Sequence, residues 1–500
     1  MTLNDRVWRI IDRFLIAIIV VFAALHFVRL AADFPLDKWW EVAAFTDEGW
    51  WNIAAVNVIQ TGHWAIAGDL NQAIGAPVLP AIMLPAFRAA GAGLVTARVV
   101  ESIFFLLVSL VAYLLALRLE GRRFALAVTA LFVVSYYEFA FSRIALLENP
   151  MLFFALLALY TVTCWNEKPV LRGVAIGFLV AAAFLTKMSA VFVLVPIAYL
   201  LYERSRSRFR FALSLLAALV AAAITMSIYA VFVSFYYASD FRSFMQNQPH
   251  LSFGASAFKR LPWELLRSTA HGQYMEPVIY PLALLGTLCY LLSRRGALRR
   301  PLFVVSFLWL VSYLGYLAMR SYCPPRYYAV LYWPIICLLL LSIKALFDTN
   351  RRIAFGVAGI VCLCGFYNAY CVADYLVHPR YSMLSMAHDV HDRVLKGNRG
   401  NILLGSMANT VSLENYVPSI NDRYGSKPLA WKLDAYCPAY YINSGDEPGS
   451  WHYWAQLEAR RVVESRYSLE LDAHYVVFAA GRPEDNVYLY KLHRKTSACE

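Results

Sequence analysis

The chain has 500 residues, of which 60% are hydrophobic and 16% charged, with a formal net charge of +12 and a mean hydropathy of +0.52. A soluble domain of ordinary composition carries about 25% charged residues, so a soluble protein is excluded as the overall class. The positive charge would suit a nucleic-acid binder, but its placement along the chain argues for a different cause.

Arg6, Arg9 and Arg13 precede the first apolar run, 14–31. Basic residues before such a run and small residues after it also describe a secretory leader. The many later runs favour an uncleaved membrane helix instead. Further apolar runs follow at 98–117, 124–141, 150–165, 171–186, 189–202, 211–237, 278–293, 302–319, 328–346 and 353–370. Their lengths are those of bilayer-spanning helices, giving about eleven spans. Basic residues cluster between alternate runs: Arg118, Arg122 and Arg123; Lys168 and Arg172; Arg204, Arg206, Arg208 and Arg210; Arg294, Arg295, Arg299 and Arg300; Lys344, Arg351 and Arg352. Cytoplasmic loops carry this excess, so the N-terminus is expected in the cytoplasm of a cell whose inner or plasma membrane holds the protein. The charge is thus a topology signal, and no nucleic-acid partner is expected. Loops 32–97, 142–149, the residues around 187, 238–277, 320–327 and everything after 371 fall on the external side.

Residues 1–370 read as a helical membrane domain and 371–500 as a smaller soluble α/β domain on the periplasmic or extracellular side. In the latter, 401–405 reads as a strand ending in a turn and 451–461 as a helix. Segments 462–471, 475–479 and 486–492 read as strands. Cys164, Cys289, Cys337, Cys362 and Cys364 lie in or beside spans and suit apolar packing. Cys323, Cys371, Cys437 and Cys499 lie outside, where disulfides are permitted but no pairing is specified. Two external loops are long. The first holds Trp39-Trp40, then Phe45-Thr46-Asp47-Glu48-Gly49-Trp50-Trp51, an amphipathic stretch to Ile59 and the prolines from Pro77 to Pro85. The second holds Phe258-Lys259-Arg260-Leu261-Pro262-Trp263. Aromatic and basic residues mixed in this way suit helices lying in the membrane interface.

Polar groups at one membrane face are the candidates for chemistry, because charge near a bilayer is expensive. They are Asp47 and Glu48, Arg143 and Glu148, Lys187 in Leu185-Thr186-Lys187, and Arg320 and Arg326 around Cys323-Pro324-Pro325. Each has a plainer reading. Asp47 and Glu48 also suit a helix N-terminus. Arg143 and Glu148 suit a structural ion pair. Lys187 suits snorkelling, and Arg320 an ordinary helix end. His63, His250 and His271 are scattered, so no cofactor is required and a divalent metal is the weaker alternative.

In order and side, these motifs resemble the membrane glycosyltransferases of the dolichyl-phosphate-mannose protein mannosyltransferase superfamily, which includes the bacterial lipid A aminoarabinose transferases. The resemblance rests on Asp47-Glu48-Gly49-Trp50-Trp51, Arg143 with Glu148-Asn149-Pro150, Leu185-Thr186-Lys187 and Pro324-Pro325-Arg326-Tyr327, and covers roughly 10–345. It implies the helical GT-C fold and a polyprenyl-phosphate sugar donor. It also implies Asp47 as catalytic acid, Glu148 as a second cavity carboxylate, and Lys187 beside the donor phosphate with Arg326 as a further phosphate ligand. Arg320 is a third phosphate candidate by position. Two departures stand out. Trp50 and the Gly75-Ala76-Pro77-Val78 stretch occupy places where the aminoarabinose transferases carry an Arg and a Glu-Lys pair.

The residue types fit the chemistry independently. A lipid phosphate leaves readily, so one carboxylate that deprotonates an acceptor hydroxyl suffices, with cations where charge develops on the phosphate. The expectation is a single inverting displacement with Asp47 as base, assisted by Glu48 or Glu148. The acceptor would be an envelope glycolipid, a glycan or a protein hydroxyl. A transporter or lipid flippase is the rival; it predicts repeats and mid-span polar residues. A scaffold with an external binding domain is a third reading. Tyr436, Tyr440, Tyr441, Trp451 and Trp454 suit packing better than sugar stacking.

Overall fold

The structure is a computed structural model that describes residues 3–35, 46–247, 277–293, 296–320, 323–396, 400–444, 453–478 and 485–495, together with 259, 262 and 398. The Trp39-Trp40 pair, His250, His271 and most of the segment 258–263 lie outside the described residues.

Apolar runs become helices wherever no backbone breaker intervenes. Among the described residues, six helical segments are long and apolar enough to cross a membrane. Five of them are Leu94–Glu120, Pro169–Thr186, Arg208–Tyr236, Pro301–Ala318 and Tyr332–Thr349. The sixth begins at Arg351, and its first helix runs to Val377. Leu3–Leu25, Glu148–Cys164 and Ile279–Ser293 add further helices to the bundle. The chain is a multi-pass membrane protein. A single core of Phe, Leu, Val and Tyr side chains runs through it, with Trp309, Tyr313 and Phe303 all fully buried.

Several runs depart from the expected continuous helices. The 124–141 run is two helices, Arg122–Val134 and Tyr136–Phe141. They part at Ser135, whose extended backbone lets its hydroxyl accept from the Glu138 amide. This is N-cap chemistry inside an apolar run. Likewise 189–202 opens as a 3₁₀ turn, Met188–Val193, before the helix Leu194–Arg204. The 328–346 run divides into Arg326–Ala329 and Tyr332–Thr349. The loop expected over 32–97 is largely helical. Asp47–Thr61 is one helix and Val78–Ala90 another, with Leu79, Met83 and Phe87 buried at four-residue spacing.

The C-terminal region is an α/β layer structure. Strands β1 (Leu403–Leu404), β2 (Ser419–Ile420), β3 (Tyr440–Ser444), β4 (Tyr467–Val477) and β5 (Asp485–Arg494) form one sheet in the order β2-β1-β3-β5-β4. The β1 strand is parallel to β2 and β3, while β5 is antiparallel to β3 and β4. Alternation sends Leu403, Tyr440 and Ile442 toward the Ser382–Leu395 and Ala408–Asn415 helices. It sends Leu404 and Tyr441 to the opposite face with Leu433 and Val463. The expected strand over 462–471 starts only at Tyr467, because Ala459 and Val463 are buried four residues apart on the helix Tyr453–Glu464. Residues 475–477 continue that same strand. Cys437 is disulfide-bonded.

Candidate active site

Asp47 and Glu48 open the first turn of the Asp47–Thr61 helix, where the helix dipole favours carboxylates. Successive helical residues point about 100° apart, so the two acids face different partners. Asp47 faces the membrane bundle. Its Oδ2 accepts from Arg326 Nη2 at 2.6 Å, and its Oδ1 accepts from Thr46 Oγ1 at 3.1 Å. Arg326 reaches on toward Glu148, with Nε 3.6 Å from Oε1, and Glu148 is in turn ion-paired with Lys187.

Tyr327 is the hub of this cluster. Lys187 Nζ lies 4.0 Å from its ring centroid, Arg326 Cζ 5.4 Å and Arg320 Cζ 5.6 Å. Arg320 donates from Nη1 to the Tyr316 hydroxyl at 2.8 Å, and its Nε is buried without a hydrogen-bond partner. Among the described residues it has no carboxylate partner. Three cations therefore share two carboxylates, and the surplus charge sits beside an aromatic face. Burial draws the Lys187 ammonium below the ordinary lysine range, with Glu148 opposing that shift.

Glu48 turns the other way. It accepts from Arg98 Nε and Nη2, both at 2.7 Å, and from the Ala145 amide at 3.1 Å. Arg98 Nη1 also donates to the carbonyls of Leu30 and Ala32, both at 2.8 Å. Glu48 is wholly buried. Asn52 ties the same helix to the Ala145 carbonyl at 3.0 Å.

The structure brings Asp47, Glu148, Lys187, Arg320 and Arg326 together and leaves Glu48 outside the group. The expected Arg143–Glu148 pair does not form. Arg143 instead lies over the rings of Phe139 and Tyr375, at 4.6 and 5.2 Å. The helix Tyr136–Phe141 ends just before it, and Glu148 starts a separate helix. Among the described residues no group of His, Cys, Asp and Glu could hold a metal ion.

The C-terminal region packs on the helix that bears Asp47. Gly49 lets the helix Ala408–Asn415 lie directly on the acid-bearing helix: a Cβ there would stand 2.3 Å from the Thr410 nitrogen. Trp50 donates from Nε1 to the Ser406 carbonyl at 2.8 Å and meets the Tyr424 ring edge-on at 5.3 Å. Where the aminoarabinose transferases carry an arginine, this chain thus places a contact with its second region.

The fold is the GT-C type of polytopic membrane glycosyltransferases. It matches the apo crystal structure of ArnT from Cupriavidus metallidurans with a TM-score of 0.60 at 16% identity, over 95% of this chain and 97% of that one. The same protein bound to undecaprenyl phosphate matches at 0.58 and 15%, with the same coverage. The archaeal oligosaccharyltransferase AglB from Archaeoglobus fulgidus, in complex with an inhibitory peptide and a dolichol-phosphate, matches at 0.53 and 10%, over 91% of this chain and 72% of that one. In sequence, residues 75–231 match the dolichyl-phosphate-mannose-protein mannosyltransferase family. No curated protein matches the chain.

Proposed function

We propose that the protein transfers a sugar from a polyprenyl-phosphate donor to a hydroxyl of an envelope acceptor, on the external side of the membrane and with inversion at the anomeric carbon. The observation that carries this reading is the gathering of Lys187, Arg320 and Arg326 around one tyrosine ring, beside Asp47. A surplus of cations in a largely buried site is a binding site for an anion, and a departing lipid phosphate is such an anion. The undecaprenyl phosphate and dolichol-phosphate bound in two structures of the same fold support that donor class.

In this reading the donor phosphate competes for Arg326. As Arg326 turns to the phosphate, Asp47 loses its partner and becomes free to take the acceptor's proton. The acceptor oxygen attacks the anomeric carbon, the bond to the phosphate oxygen breaks, and Lys187, Arg320 and Arg326 balance the charge left there. Glu148 keeps Lys187 in place. Glu48 acts at a distance, fixing through Arg98 the helix that bears Asp47. The alternating basic loops support a cytoplasmic N-terminus, and the region after 371 forms an external domain over the site.

The test is transfer by purified protein in nanodiscs, using labelled polyprenyl-phosphate sugars and a host membrane extract. The expected result is release of polyprenyl phosphate with label in a new product, lost in Asp47→Asn. Lipid movement across liposomes without any turnover would overturn the reading in favour of a flippase.

A further inference from the structure

The loop 421–427 of the C-terminal region is built more firmly than a surface connection needs. Asp69, from the membrane region, accepts from the Asn421 amide at 3.0 Å and from Lys432 Nζ at 2.9 Å, and both charged groups are almost fully buried. Lys432 also donates to the Tyr424 carbonyl at 2.7 Å. Asn421 Oδ1 accepts the amides of Arg423 and Tyr424 at 2.9 and 2.8 Å, which closes the loop on itself. Ser243 donates to the Gly425 carbonyl at 2.6 Å, and the Lys427 amide donates to Gly68 at 3.0 Å. Gly425 is required by this approach, since a Cβ would stand 2.5 Å from the Gly68 carbonyl oxygen. Two separate stretches of the membrane region, residues 68–69 and Ser243, therefore hold one loop.

The clamp places Tyr424. Its ring meets Trp50, one helical turn beyond Asp47, and the pKa of its phenol is pushed up by burial, opposed by Arg423 and helped by the Asp47 charge. Tyr424 is only half-buried, and Arg423 is exposed with its guanidinium 4.9 Å from the Tyr424 ring centroid. The Arg423 guanidinium lies over one face of the Tyr424 ring and, being exposed, can swing off it when a ligand lands there; the ring itself is already held in place and costs little ordering entropy. A pyranose or furanose ring suits such a platform: its C–H face lies on the aromatic, and its hydroxyls reach the guanidinium. A serine-bearing segment without aromatic or proline side chains has no comparable flat apolar face to offer.

We propose that Tyr424 is the acceptor platform of this enzyme and that the acceptor group is a saccharide. The proposal rests on the glycosyltransferase reading above and names the acceptor class of that same site. Tyr424 is a positioning residue: it holds the acceptor ring so that one hydroxyl faces Asp47.

The full-length protein in nanodiscs, with polyprenyl phosphate present, is titrated with chitobiose, mannobiose and a serine-containing hexapeptide by saturation-transfer NMR. The expected result is binding of at least one disaccharide. Tyr424→Ala should weaken it about tenfold, and Tyr424→Phe or Tyr424→Trp should restore it. In transfer assays Tyr424→Ala should raise the acceptor KM by a similar factor, with kcat within about twofold. Polyprenyl-phosphate binding on the same samples reports that each variant is folded. Binding of the peptide alone, or disaccharide binding indifferent to the ring at 424, would overturn the proposal while leaving sugar transfer intact. Disaccharide binding that depends on the ring, in a protein that transfers no sugar, would support the platform and sink the enzyme reading instead.

Discussion

Two carboxylates adjacent in sequence sit in two unlike regions. Glu48 is saturated: a guanidinium fork and a backbone amide occupy its oxygens, and that same guanidinium holds the carbonyls of Leu30 and Ala32 in the turns that follow the first helix. Asp47 is held by one arm of Arg326, which also leans toward Glu148. The first region is a joint between three segments of backbone. In the second, a charged arm has a choice of partners. Of the two acids, Asp47 is the one whose partner has a second carboxylate within reach.

The largest expected effect is on the exchangeable side. Asp47→Asn should reduce sugar transfer by about 10³-fold or more, far beyond any loss of folded protein, as measured by product formation and melting on one preparation. Glu48→Gln should do the reverse in kind. Removing one member of a buried pair costs about 3–5 kcal/mol, so a lowered melting temperature and poor yield are expected before any specific kinetic change. A Glu48→Gln protein of full stability and no activity would erase the distinction between the two acids. Arg320→Gln, at the cation without a carboxylate, should raise the donor KM about tenfold with a smaller change in kcat. The smallest effect is on pH dependence. Lys187 binds phosphate only when charged, and burial holds its amine below the ordinary range. Donor affinity should therefore fall as pH rises, at lower pH than the usual lysine value of about 10.4 would give, and Lys187→Arg should flatten that slope. Polyprenyl-phosphate titrations between pH 7 and 10 read this directly.

Much of the site was legible because external charges at helix ends are rare and costly. Asp47, Glu148, Lys187 and Arg326 stood out on one face for that reason, and they are the groups that meet. Arg98 was hidden because it opens a long apolar run and reads as a boundary residue. Its partner lies fifty positions earlier, beyond any local pattern. Arg143 and Glu148 were misjudged as a pair because nearness in sequence was taken for nearness in space, across a helix end that apolar residues do not announce. Ser135 could have marked that region as broken: a small hydroxyl three residues before a glutamate is a capping pattern even inside a hydrophobic stretch. The closure by Gly49, Trp50 and Tyr424 left only one sign in the sequence, the Trp where the related transferases carry Arg. A substitution of that kind reports a new neighbour without naming it.

The contact between Trp50 and Ser406 joins residues 356 positions apart. A ribosome adding 5–20 residues per second makes the second residue roughly 20 to 70 seconds after the first. Throughout that interval the acid-bearing helix has no covering region, and neither Gly49 nor Trp50 has its partner. Biosynthesis thus imposes a delay between insertion of the first helices and completion of the acid-bearing site. A nascent chain stalled or cleaved before residue 406 would sit in the membrane with the Asp47 helix uncovered.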